Sequence, residues 1–275
     1  MRYSPFSAAL AVAASVSVAF LVLPIAAIFT ELTASELWRG VTSETARDAV
    51  RVTAETNLIA MGLILVFGTP TAYLLATRSF RGRALLVTLI ELPLVLPPAV
   101  AGIGLLAAFG RLGLLGGTFE SLGLEIAFTK IAVVMAVTYV ASPFYVRTAI
   151  AAFAAVDSDL VAASRTLGAG PGRTFWRVAV PLASGGLGAG FALAFARGLG
   201  EFGATIMFAG SLQGVTQTLS LAVYEQFDVD FATALAIGAL LIAVSGVVLL
   251  AAKLVPSWRR FGSRSITVSA PSVSS

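Results

Sequence analysis

The stretch LGAGPGRTFWR, residues 167–177, holds three glycines and two arginines, yet apolar runs long enough to cross a membrane lie on both sides of it. A basic, turn-rich patch in that position reads as the connection between two membrane spans, and the rest of the chain agrees. Of 275 residues 58% are hydrophobic and 12% charged, against about 45–50% apolar and about 25% charged in an average soluble domain. A span needs about 20 mainly apolar residues. Six segments qualify, roughly 6–29, 55–77, 84–109, 126–148, 181–206 and 231–254. The expected fold is all-α, a polytopic membrane protein of about six transmembrane helices that fill residues 1–257, with residues 258–275 as a Ser-rich, disordered cytoplasmic tail.

The chain has no histidine and no cysteine, which removes imidazole and thiolate metal sites, Cys or His nucleophiles and disulfide frameworks. The first apolar stretch follows a single arginine, Arg2, and is longer than a secretory h-region of about 7–15 residues, so it reads as an uncleaved first span. Arginine and lysine gather in alternate segments: Arg2; Arg78, Arg81 and Arg83; Arg147, Arg165, Arg173 and Arg177; Lys253, Arg259, Arg260 and Arg264. By the positive-inside rule these segments and both termini are cytoplasmic. The same placement argues against nucleic acid as the partner of the +4 net charge.

Within the spans, Gly68, Thr69 and Pro70 are expected to interrupt the second, and Pro93, Pro97 and Pro98 the third. Broken helices can mark a translocation route as readily as a packing kink. In the fifth segment Gly186, Gly190, Ala194 and Gly198 recur every four residues and place small side chains on one face, for packing against a helix of the same chain or along a subunit interface. No inverted pair of three-span halves, the symmetry of many secondary transporters, is evident.

Charged groups in the apolar segments need an explanation, since each costs about 2.5–3.5 kcal/mol at a helix centre on insertion scales. Glu91 is expected near the cytoplasmic face beside Arg81 and Arg83. Arg197 and Glu201 share a helix face four residues apart and can neutralise each other. Arg197 lies about 24 Å along the helix from Pro181, so it could also help an anion enter from outside. GPGRT fails as a phosphate-binding GxxxxGK[ST] loop: Leu167 stands at the first glycine position and Arg173 at the lysine. Glu91 and Glu201 lie in different segments without His or Cys partners. On these criteria no enzyme is expected.

From Ala162 the patch becomes AASRTLG, nine residues, then VAVP ending at Pro181. This resembles the coupling loop of ABC importer permeases, whose signature is EAA, three residues, Gly, nine residues and Ile-x-Leu-Pro. Ala162, Ala163 and Ser164 occupy the EAA positions, with Ala162 where the family usually has Glu, and Gly168 matches the glycine. The resemblance implies a prokaryotic inner or plasma membrane and, within a coupling loop of about 157–181, a short helix over about 158–169 and a turn through Gly170, Pro171 and Gly172. Local chemistry suits this: Asp157, Ser158 and Asp159 are N-terminal caps, Gly168 with Gly170 can stop the helix, and Phe175 and Trp176 suit the lipid interface. It implies docking of Ala162, Ala163, Ser164, Arg165, Leu167, Gly168, Ala169 and Pro171 on a separate ATPase.

PLVLPPAVAGIGLLAAFGRLGLLG from Pro93, RGLGEFGATIMFAG from Arg197 and GVTQTLSLAVY from Gly214 resemble the permease subunit of molybdate importers, over nearly all the chain after about residue 45. Ser211, Gln213 and Ser220 depart from that pattern. Pathway candidates are Arg197, Glu201, Gly203 and Thr205, with Pro97 and Pro98. The resemblance implies a homodimer served by two cytoplasmic ATPase subunits, which bind ATP and Mg so that this chain needs no cofactor, and by an extracytoplasmic oxyanion-binding protein. Sulfate, thiosulfate or tungstate are alternative cargoes. A secondary transporter or channel working without an ATPase is the contrasting class.

Overall fold

In the computed structural model, residues 5–260 are described, and they are helical almost throughout. The helices are α1 (Pro5–Thr30), α2 (Ala34–Val41), α3 (Glu44–Thr77), α4 (Arg83–Val95), α5 (Pro98–Phe109), α6 (Gly116–Ser121), α7 (Lys130–Ala154), α8 (Ser158–Thr166), α9 (Pro171–Thr174), α10 (Val180–Leu199), α11 (Gly203–Ala209), α12 (Leu219–Phe227) and α13 (Phe231–Arg260). Among the described residues five helical stretches are long and apolar enough to cross a membrane, and α4 with α5, which pass the same test together, are bent by 116°. The third segment is thus broken into two helices. Leu96 is extended and Pro97 and Pro98 start the next helix, because proline disfavours helical backbone in the residue before it.

The core is a trio of α3, α7 and α10. Alanines and valines on α7, among them Ala132, Val133, Ala136, Val137 and Ala141, are all but inaccessible. Their small size brings neighbouring backbones close, which drives helix association where lipid supplies no hydrophobic force. α3 is not interrupted at Gly68–Pro70 as expected; it runs unbroken through Pro70. The Gly-Thr pair instead forms a seat for Tyr145: a Cβ at Gly68 would come within 3.1 Å of its ring, and Thr69 Oγ1 lies 2.7 Å from its hydroxyl. With 34 residues α3 is about 51 Å long, well beyond a hydrocarbon layer of about 30 Å. Its first turns therefore stand outside the layer: the helix begins at Glu44, eleven residues before the span expected from residue 55.

The small face of α10 lies against the same chain. A side chain at Gly186 would collide with Ala152, and one at Gly190 would press on Thr148 at 3.1 Å. Ala194 is fully buried, and Gly198 makes room for the Asn57 carboxamide and Val137. Gly186→Leu is expected to destabilise the protein by about 1–3 kcal/mol through overpacking, read as a lower thermal unfolding midpoint in detergent. An unchanged midpoint would mean that α7 and α10 do not meet there.

The 31–43 connection is more ordered than a loop. Thr33 and Glu36 form a capping box for α2, and the Thr33 hydroxyl and amide hydrogen bonds hold the Glu36 carboxyl below its usual range. Gly40 of α2 lets it sit directly on Ala236 of α13. α1 packs on α13 and buries nothing across its most apolar window. Because α13 continues to Arg260, the expected boundary at 257/258 falls inside a helix. The Ser-rich tail beyond it lies outside the described residues.

Candidate functional site

Two places gather the polar and glycine-rich motifs. The first is the loop from α7 to α10. Asp157 caps α8 by accepting the Asp159 amide at 2.8 Å, and Asp159 itself adds negative charge to the positive end of the helix dipole. α8 ends at Thr166, three residues before the expected end, in a Schellman motif. The Ala169 N–H bonds Ser164 O and the Gly168 N–H bonds Arg165 O, each at 3.0 Å. Gly168 has φ +83, a conformation that side chains with a Cβ rarely adopt.

Gly170 does not continue a turn through Pro171 and Gly172 as expected. It is the extended N-cap of α9, with Pro171 at the first helical position, where a missing N–H costs nothing. Residues Phe175–Ala179 then widen into a π-helical turn in which Val180 N–H bonds Phe175 O, leading straight into α10. Pro181 next to it has no N–H to offer.

The loop is fastened to the bundle. Ser164 Oγ donates to Val161 O at 2.9 Å and lies 3.1 Å from the hydroxyl of Thr174, which is fully buried. Phe175 packs edge-on against Tyr73 of α3 at 4.8 Å and beside Phe153 of α7 at 6.2 Å. Phe175 is therefore an anchor into the core, while Trp176 stays 66% exposed. Ala162, Ala163, Arg165, Leu167, Gly168 and Pro171 form an exposed face, with Ala169 and Ser164 half-buried. Leu160 and Leu167 project from it at 50% and 87% exposure. Phe175 thus joins this loop to α3 and α7, and the helical turn that it opens runs on into α10.

The second place lies at the opposite end of the trio. The fifth apolar segment does not continue to 206: α10 stops at Leu199, residues Gly200–Phe202 break it, and α11 restarts at Gly203. Glu201 sits in that break with 1% exposure. Its Oε1 accepts the Ala204 amide at 2.7 Å, and its Oε2 lies 2.7 Å from Nη2 of Arg197, which is 26% exposed. One carboxylate thus clasps the end of α10 to the start of α11.

The two broken segments, the third and the fifth, meet here. A Cβ at Gly203 would come within 2.8 Å of Pro98, and one at Gly102 within 2.6 Å of Ala204 O, so α5 and α11 touch backbone to backbone. Pro98, Gly203, Glu201 and Arg197 are brought together; Thr205 is buried on α11, and Pro97 stays exposed at the bend. Sequence reasoning missed Gly102, although AVAGIG carries the small-residue signal. It also missed Asn57, whose Nδ2 reaches Phe195 O at 3.3 Å, and Ser220, whose hydroxyl donates to Leu199 O at 3.1 Å. Glu91 pairs at 3.6 Å with Arg147 of α7, not with Arg81 or Arg83. Its neighbour comes from a helix 56 positions away, which linear proximity cannot reveal.

Two broken segments thus abut at one end of a membrane-length helical bundle, and an exposed helical elbow is tied to its core at the other. Residues 68–260 match the family described as binding-protein-dependent transport system inner membrane component. The chain belongs to that family, and it is the permease subunit of an ABC importer. It is 42% identical over 233 residues to the molybdenum transport system permease protein ModB of Mycobacterium bovis, covering 85% of this chain and 88% of that one. It is 31% identical over 229 residues to a probable sulfate transport system permease protein cysT of Chlorokybus atmophyticus, covering 82% and 80%. The fold matches a bacterial alginate ABC transporter chain with a TM-score of 0.68 at 16% identity, covering 93% of this chain and 94% of that one. A chain of the MetNI methionine ABC transporter matches at 0.59 and 18%, covering 85% and 100%.

Proposed function

We propose that this permease carries molybdate into the cytoplasm as a homodimer, with the pathway between the two copies, two ATPase subunits on the α8 face and an oxyanion-binding protein at the opposite end. The observation that carries the cargo is the 42% identity to ModB over 85% of the chain, against 31% to the cysT sulfate relative over 82% and 37% to a sulfate transport system permease protein CysW over 66%. Both ions are compact tetrahedral dianions, and the choice between them rests mainly with the binding protein. The permease contributes a route of moderate polarity. Arg197, neutralised by Glu201 yet partly exposed, offers a passing dianion a donor without a deep binding well.

ATP binding and hydrolysis move α8, and Phe175 passes that movement to α3, α7 and α10. The contact of α5 with α11 is the bistable element that opens and closes. Glycines at 102 and 203 allow two backbones to meet without interlocking side chains, a surface that parts cleanly. The residues of this chain make no bond to nucleotide in this scheme; they transmit.

The cargo is tested by uptake of labelled molybdate into vesicles holding the assembled complex and its binding protein, with sulfate or tungstate as competitor. The expected result is uptake that a hundredfold excess of sulfate leaves largely intact. Equal competition by sulfate at equimolar concentration would move the assignment to the sulfate branch.

A further inference from the structure

α7 runs through the middle of the bundle and is covered along most of its length. Among its described residues 132–150, Arg147 alone is exposed. Ala151 and Ala154, one and two turns further on, share its face and are exposed too, so the opening at Arg147 runs to the α8 end of the helix. Arg147 lies about 10 Å before that end of a 25-residue helix, about 37 Å long, so its backbone is inside a hydrocarbon layer of about 30 Å.

At that depth the side chain is 71% exposed. A guanidinium facing hydrocarbon is costly, and arginines inside membranes face bundle interiors or water-filled cavities and mark ion routes. The helix beside Arg147 is α4, which packs chiefly on α7 and buries no residue of its own. It starts at the α8 end, where Arg83 Nε bonds Leu75 O of α3 at 2.7 Å, and leads through the bend at Leu96 into α5. An ion that has passed the contact of α5 with α11 therefore comes next to α4 and Arg147.

The pair with Glu91 is an open one. Arg147 Nε stands 3.6 Å from Glu91 Oε1, longer than a hydrogen bond, which leaves the fork of N–H donors free for a tetrahedral oxyanion. The carboxylate, 39% exposed, offsets the charge of the guanidinium at the same time. Conduction needs a site favourable enough to enter and weak enough to leave. A bare arginine would hold a dianion too long, and one closed onto its carboxylate would offer it nothing. We propose that Arg147, tempered by Glu91, is the inner oxyanion site of the route, where the dianion rests between the α5–α11 contact and release toward α8. This rests on the reading of the chain as an oxyanion importer. A lipid phosphate has the same chemistry, and the experiment separates the two sources.

The test uses the complete complex with Arg147→Gln or Glu91→Gln. Initial uptake of labelled molybdate is measured in proteoliposomes with the binding protein, and molybdate binding by equilibrium dialysis of the nucleotide-free complex in detergent without it. Arg147→Gln is expected to lose the binding and to slow uptake about tenfold, whereas Glu91→Gln binds about tenfold more tightly and yet releases more slowly, so that its uptake falls too. A pair with a structural role alone would not move binding in opposite directions. Unchanged binding in both variants, or a change of the same sign in both, would overturn the site. So would native mass spectrometry showing phosphatidylglycerol held by the wild type and lost from Arg147→Gln while molybdate binding persists. Should Arg147→Gln fail to assemble, Glu91→Gln decides, and binding no tighter than in the wild type overturns the site. Wild-type uptake keeps the two readings apart: if it carries sulfate and not molybdate, the cargo assignment fails and the same comparison with labelled sulfate decides the site. A wild type that carries neither ion overturns both.

Discussion

Arg197→Gln is expected to lower the thermal unfolding midpoint of the purified protein more than any other single change at the broken-helix site. Glu201 is 1% exposed, and the Arg197 guanidinium 2.7 Å away is the cation that compensates it. Removing one partner of a buried pair costs about 3–5 kcal/mol, because the charge left behind has neither water nor an opposite charge. The amide of Ala204 still donates to Oε1, but one hydrogen bond does not replace an ion pair. Arg197→Gln with Glu201→Gln removes both charges and keeps the carboxamide able to accept from Ala204, so the double variant should regain most of the lost stability. Midpoints measured in detergent for the two single variants and the double decide this. A double variant no more stable than Arg197→Gln would show that the pair is not coupled.

Gly168→Val should reduce ATP-driven uptake by about tenfold or more while the amount of folded permease stays unchanged. Its φ of +83 suits glycine, and left-handed backbone costs other residues about 1–2 kcal/mol. Nothing lies within 4 Å of the position a Cβ would take, so the effect is not a clash. It is a change of backbone that undoes the Ala169 to Ser164 and Gly168 to Arg165 bonds and re-aims Leu167 and α8. A loss of about 1.4 kcal/mol in docking weakens ATPase affinity about tenfold. Co-purification of the ATPase with the variant, together with uptake, separates this from misfolding. Full uptake by Gly168→Val would remove the loop from the coupling route.

The helical character and the approximate spans were legible because an apolar run of membrane length satisfies its backbone in lipid only as a helix. What the sequence hid was depth and breakage. Pro70 and Pro97 look alike in a linear reading, yet α3 passes through the first unbroken and the chain turns by 116° at the second. Pro97 is followed by a second proline, which leaves two consecutive N–H groups missing, while Pro70 stands alone in a helix pressed against α7 by Tyr145. The end of α10 was misplaced for a related reason: ARGLGEFGA is apolar enough to belong to a span, and only the Glu201 to Ala204 bond shows that a new helix starts there.

At the loop, the capping residues and Gly168 could be read from local chemistry, since caps depend on neighbours in sequence. The anchoring of Phe175 by Tyr73 and Phe153 could not, since those rings come from positions 102 and 22 residues earlier. For the same reason Glu91 was assigned the arginines nearest in sequence, whereas its partner Arg147 comes from α7. Residues joined within one turn are visible in a sequence; residues joined across helices require the fold.

The most direct measurement is molybdate accumulation in proteoliposomes prepared three ways: with this chain alone, with the ATPase added, and with the ATPase, ATP and the binding protein together. Accumulation against a gradient only in the complete, ATP-supplied preparation is what the account predicts. Accumulation by the chain alone, or uptake indifferent to ATP, would contradict it.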